Sequence, residues 1–150
     1  MENFVQQIIE AKKALNTADH LAYVTYPLLG DQKIVVLITD NIFSALSKTV
    51  DAFLNYDRYY KRISNVPESF ENKFDVFKTE ISKRYNIGVD ILLMIRDIRE
   101  IVETRKRSNF EFVRKNNLVL FTEDYRVKTL NLKKVKEYIN STKLLIDKAE

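Results

Sequence analysis

Glycine and proline occur only twice each in 150 residues, as Pro27, Gly30, Pro67 and Gly88. A chain with so little punctuation is confined to long, uninterrupted elements. Between these breaks the apolar residues recur at the period of a helix. From Phe4, the residues Ile8, Ala11, Leu15, Ala18, Ala22 and Thr25 follow at spacings of three and four, with Glu10, Lys12, Lys13 and Asp19 on other faces. The spacing predicts a helix over 3–26, ended by the pair Pro27 and Gly30. A second stripe, Ile34, Ile38, Ile42, Ala45, Thr49, Ala52, Tyr56 and Tyr60, predicts a helix within 31–63. The rival there is a buried strand, since Ile34 to Ile38 is a continuous apolar run, with Asp40 or Asn41 capping a shorter helix behind it. Such a strand would have no partner.

Phe70, Phe74, Phe77, Ile81 and Tyr85 predict a third helix, and Asn86, Ile87 and Gly88 end it. Ile91, Ile95, Ile98 and Val102 define a fourth, with Asp90 at its start and Arg105, Lys106 and Arg107 at its end, both complementary to the helix dipole. The period then changes. Phe110 and Phe112 alternate around Glu111, and Leu118 to Phe121 follow across Lys115, Asn116 and Asn117, which predicts a β-hairpin over about 109–122. Asn131 can cap a fifth helix carrying Leu132, Val135, Ile139, Thr142, Ile146 and Ala149 on one face. The expected fold is mostly α: a single domain over 1–150, an antiparallel four- to five-helix bundle with a small β-hairpin before the C-terminal helix. A chain of this length buries about two thirds of its unfolded surface, so no disulfide or metal staple is needed.

Composition removes several chemistries. No cysteine means no disulfide, thiolate metal site or thiol nucleophile. A single histidine, His20, excludes zinc sites with two His ligands and carboxylate-bridged di-iron bundles. Two glycines cannot build a phosphate-cradling loop. No cofactor or metal is therefore expected. The longest aliphatic run, Ile34 to Ile38, is far below the roughly 20 residues of a membrane span. The amino terminus carries no leader pattern, so a cytoplasmic address is expected.

The net charge of +4 is unevenly distributed. Residues 1–104 hold 13 basic and 15 acidic side chains, residues 105–136 hold 10 and 3, and residues 137–150 hold 2 and 3. The basic segment comprises Arg105, Lys106, Arg107, Arg114, Lys115, Arg126, Lys128, Lys133, Lys134 and Lys136. Gathered together, these could follow a nucleic-acid backbone, with Tyr125 or a hairpin Phe stacking on an unpaired base. Spread apart, they would confer solubility alone. A second cluster, Tyr56 to Arg62, mixes aromatic and basic residues. It could serve the same end, or Tyr56 and Tyr60 could be core residues with the bases opposing the helix dipole.

Other candidates are weaker. His20 beside Asp19 does not form a helical dyad, because adjacent residues point about 100° apart. Asp97, Glu100 and Glu103 make an acidic stripe that could bind a cation through oxygen, but among Arg96 and Arg99 it reads as an exposed, ion-paired face. Tyr23 to Leu29 is an aromatic, uncharged helix end suited to the core or to a partner subunit.

The segments Ala18 to His20, Tyr23 to Leu28, Tyr59 to Ile63, Ser108 to Lys115 and Asp124 to Arg126 resemble a family of archaeal helical proteins of this size. That family in turn resembles the HEPN superfamily, helical bundles that often pair as dimers and include ribonucleases. The resemblance implies a homodimer. In HEPN ribonucleases an Arg and a following His meet across the dimer; here Arg99 is followed six residues later by Arg105, and the only imidazole, His20, lies on another helix. Arg105 can hold a phosphate but cannot act as a base. The expectation is a non-enzymatic binding module for RNA or another polyanion, using Arg105, Lys106, Arg107, Arg114, Lys115, Tyr125, Arg126 and Lys128. The alternatives are a divergent, metal-independent ribonuclease of HEPN type using His20 and Arg99 across a dimer, or a protein–protein interaction domain.

Overall fold

Every glycine and proline lies at a helix end, in a connection or beside a local change in helical pitch. The computed structural model describes residues 3–107, 111–114, 117–121 and 127–150. The first rod runs through α1 (Asn3–His20), a π turn at Leu21–Thr25 and α2 (Tyr26–Leu29). Proline has no N–H and its ring crowds the carbonyl four residues back, here that of Tyr23. The wider turn, in which the Tyr26 N–H reaches the Leu21 carbonyl, lies just before it. Gly30 closes the rod with φ 64°, donating its N–H to the Tyr26 carbonyl at 2.8 Å.

Asp31 caps α3 (Gln32–Tyr59), accepting from the Lys33 N–H at 2.9 Å. The run Ile34 to Ile38 is therefore helical. Ile34, Val35, Val36 and Ile38 are buried, because this rod lies at the centre and is covered on more than one side. The hydroxyls of buried Thr39 and Thr49 are satisfied by the carbonyls four residues back. A third rod comprises α4 (Phe70–Val76), capped by Ser69, a second π turn at Phe77–Ile81, and α5 (Ser82–Arg84). The fourth helix is α6 (Val89–Arg107).

The hairpin strands are β1 (Glu111–Arg114) and β2 (Asn117–Phe121), paired antiparallel with Arg114 opposite Asn117. The sequence reading of 109–122 is extended by a third strand, β3 (Val127–Leu130), which pairs antiparallel with β2. Val127 and Thr129 are β-branched, and β3 places Leu130 beside Leu118 in register. Asn131 caps α7 (Leu132–Ala149) as expected, accepting from the Lys134 N–H at 2.8 Å.

Burial follows the predicted stripes. One apolar cluster joins Leu15 of α1, Ile42 and Leu46 of α3, Phe77, Ile95 and Ile98 of α6, Leu118, Leu120 and Leu130 of the sheet, and Ile139 of α7. The sheet is thus sealed to the bundle by leucine. Phe77 is the largest fully buried side chain, and truncating such a ring typically costs about 3–5 kcal/mol. Among the described residues no helix is long and apolar enough to cross a membrane.

At Gly30 nothing lies within 4 Å of where a Cβ would stand, so substitution there is limited by backbone conformation alone. Gly30→Ala should cost about 1 kcal/mol, the ordinary penalty of the left-handed region for an L-residue, as measured by urea unfolding.

Candidate functional site

The described cations of the basic segment are largely occupied by the protein itself. Lys128, on β3, hydrogen-bonds the Asp97 carboxylate of α6, with Glu100 at 3.6 Å from its ammonium. Lys134, in the first turn of α7, stands 3.5 Å from the other Asp97 oxygen and donates to the Thr129 carbonyl at 3.2 Å. The Tyr138 hydroxyl also donates to Asp97. Asp97 therefore binds α6, β3 and α7 together. Burial by itself raises the Asp97 carboxyl, but the bonds from Lys128 and Tyr138 and the charges of Lys134 and Lys128 outweigh it, holding the group below its ordinary value. Burial and the bond to Asp97 push the Tyr138 hydroxyl up, keeping it a donor.

The acidic stripe read as an exposed, ion-paired face is ion-paired but half-buried: Asp97 and Glu100 meet cations of the sheet and the last helix, and Glu103 meets Lys106 of its own helix. Arg105 and Lys106 line a cleft with Asp40 and Phe43, and Lys106 is 4.0 Å from Glu103. Eight residues of helix, about 12 Å, separate them from Asp97. Lys136 lies over the Tyr23 ring at 4.5 Å. Lys115, Tyr125 and Arg126 fall outside the described residues, as do the side chains of Arg107 and Arg114.

The second cluster has the opposite character. Asp57, at the end of α3, is 0% exposed. Its carboxylate is met by Arg84 from α5, by Arg62 at 3.3 Å and by the Tyr85 hydroxyl at 2.6 Å. Burial, reinforced by the bond to Asp57, pushes the Tyr85 hydroxyl up to about 12. The chain leaves the helix through a tight reversal in which the Arg62 N–H bonds the Asp57 carbonyl at 2.8 Å and the Lys61 N–H that of Arg58 at 3.0 Å. Lys61 occupies the left-handed position, φ 60°, where glycine is usual. The reversal lays the Arg62 guanidinium over the rings of Tyr56 and Tyr60, at 5.7 and 5.5 Å.

Phe4, Tyr56, Tyr59 and Tyr60 form a connected aromatic group, with Tyr56 to Tyr60 at 4.8 Å and Tyr59 to Tyr60 at 5.1 Å between centroids. The reading of Tyr60 as a core residue is corrected here: it is 52% exposed and Tyr59 58%, because α3 ends at Tyr59 and the chain reverses there. Only Tyr56 of the pair is half-buried. Of the four basic side chains Arg58, Lys61, Arg62 and Arg84, the Asp57 carboxylate pairs with two, Arg62 and Arg84. Among the described residues the side chains of Arg58 and Lys61 have no hydrogen-bond or ion-pair partner. Sequence reasoning missed Arg84, 27 positions from Asp57. The available signal was an Asp on the buried face of α3, four residues after Phe53.

His20 is exposed at the end of α1, while Arg99 lays its guanidinium over the Phe70 ring at 5.1 Å. No hydrogen bond or ion pair joins them among the described residues. The uncharged corner between α1 and α3 is open, with Leu28 80% and Leu29 69% exposed. Among the described residues no three His, Asp or Glu side chains gather as a metal site. Compared with known families, curated proteins and solved structures, the chain matches none.

Because the Asp97 carboxyl is held below 3.8, its ordinary value, the ion cluster stabilises the fold fully above that pH and loses its contribution as pH falls through the lowered value. Asp97→Asn should therefore cost about 2 kcal/mol at neutral pH. That deficit should shrink towards zero in acid, read as converging thermal unfolding midpoints of the two proteins.

Proposed function

We propose that this protein is a non-enzymatic module that binds a single-stranded polyanion, RNA being the natural probe, at the C-terminal end of α3. The observation that carries this reading is the pair of exposed rings, Tyr59 and Tyr60, beside Arg58 and Lys61, two cations with no partner among the described residues. Stacking on an aromatic ring contributes about 1–3 kcal/mol per base without regard to sequence. Unpaired cations release counterions from phosphate without first surrendering an internal ion pair. Asp57, Arg62 and Arg84 give the surface a firm base. The segment 105–136 supports the reading less, since Lys128 and Lys134 would have to leave Asp97 to reach phosphate. A ribonuclease built on His20 and Arg99 draws no support from their placement.

Fluorescence anisotropy of a short labelled oligouridylate tests the proposal. The affinity should fall as salt rises, and Arg58→Glu with Lys61→Glu should weaken it by about tenfold or more. Tyr60→Ala should cost about fivefold or more. Lys106→Glu, in the other basic region, should change little. Binding indifferent to salt, or lost with Lys106→Glu and kept by the α3 variants, would remove this surface from consideration.

A homodimer is a second reading, supported by the exposure of Leu28 and Leu29. Residues 21–30 carry no charge of their own, as suits a contact between two copies of one surface. Sedimentation should find a dimer that Leu28→Asp with Leu29→Asp converts to a folded monomer. A wild-type monomer at every concentration would exclude this contact.

A further inference from the structure

A cleft of about 440 Å³ opens where α1, α3 and the last turn of α7 converge. Its wall is apolar: Phe4, Val5, Ile8 and Ile9 from α1, and Ala52 and Phe53 from α3. Two of its positions are alanine: Ala52, which is 2% exposed and lies at the floor, and Ala149, which is half-buried. Val5 and Ile9 keep part of their surface open to solvent. Clefts of a few hundred Å³ with greasy walls and a few polar groups are the usual form of small-molecule sites, and water gains little by filling them.

The mouth defines the charge of the occupant. It carries the side chains of Lys12, Lys148 and Glu150. Lys12 is neutralised, being ion-paired with Glu150 across the gap between α1 and α7. The Lys148 ammonium donates to the Asn86 carbonyl at 3.3 Å, and it has no carboxylate partner among the described residues. Behind the wall, the Tyr85 hydroxyl is turned to Asp57, whose charge is already met by Arg62 and Arg84. Among the described side chains around the cleft, Lys148 is thus the cation without a carboxylate partner, and the one carboxylate, that of Glu150, is paired with Lys12.

We infer that this cleft is a binding site for a small amphipathic anion, a linear acyl carboxylate whose chain lies along Ile8 and Phe53 and whose head is held by Lys148. The hydrocarbon lies against the apolar wall, and the carboxylate stays at the solvent edge, where its desolvation is slight. The inference is independent of polyanion binding at Tyr59 and Tyr60, and each survives the failure of the other.

The test is titration of the full chain with octanoate, decanoate and decyltrimethylammonium below their micellar concentrations, followed by two-dimensional NMR. Decanoate should bind saturably at one site, with the largest shifts at Ile8, Phe53 and Ala149. It should bind about fourfold more tightly per added methylene than octanoate. The cationic surfactant should bind at least about tenfold more weakly, as expected when a close attractive charge becomes a repulsive one. Ala52→Leu should abolish binding. Lys148→Met, at an exposed site where folding is not at risk, should remove the preference for the anion while leaving the chain-length trend. Shifts spread over the surface, equal affinity for both head charges, or decanoate binding undiminished in a folded Ala52→Leu protein would each overturn the assignment.

Discussion

A carboxylate without solvent must find its compensation inside the protein, and Asp57 imposes that condition on one whole end of the bundle. An unpaired charge in such a place would cost several kcal/mol. Arg84 must come from α5, Tyr85 from the residue after it and Arg62 from the chain leaving α3, so the end of α3 and a stretch some 27 residues further on are drawn to one point. The reversal through Lys61 follows from this, because Arg62 reaches the carboxylate only if the chain doubles back on the helix. Once it has done so, Tyr59 and Tyr60 are left pointing away from the core, supported beneath by Tyr56 and Phe4.

Asp97 plays the matching part at the other side. There the carboxylate lies on a helix, and the cations arrive from a strand and from the first turn of the last helix. The sheet is anchored by this cluster and by Leu118, Leu120 and Leu130 in the common core. Its lysines are therefore structural as they stand. A sum of charges along the chain marks residues 105–136 as the basic region, whereas in space the acids of α6 offset part of that excess. At the end of α3, within a stretch whose sequence total is slightly negative, Arg58 and Lys61 have no partner among the described residues.

The helices were legible because their signal is local. Spacing of three and four places Ile34, Ile38, Ile42 and Ala45 on one side of a rod whatever surrounds it, and Asp31, Ser69 and Asn131 mark starts by supplying an acceptor for a free N–H. The continuous run at Ile34 was ambiguous for the same reason. Nothing local distinguishes a buried strand from a helix covered on several sides, and the absence of a partner strand decided it. The third strand escaped notice because Val127 to Leu130 is short, with a lysine in the middle whose partner lies on α6. Tyr60 was misplaced because periodicity extends a stripe past the point where the neighbouring element ends.

What the sequence by itself determined is the set of rods, their order and their caps, since these depend on contacts a few residues apart and on a near absence of chain breakers. Tertiary structure alone decided which charges remain available. Electrostatic compensation acts between residues as far apart as Asp57 and Arg84 or Asp97 and Lys128, and no window along the chain contains both members of such a pair. The same holds for the cleft beside Ile8, whose lining is drawn from α1, α3 and the end of α7.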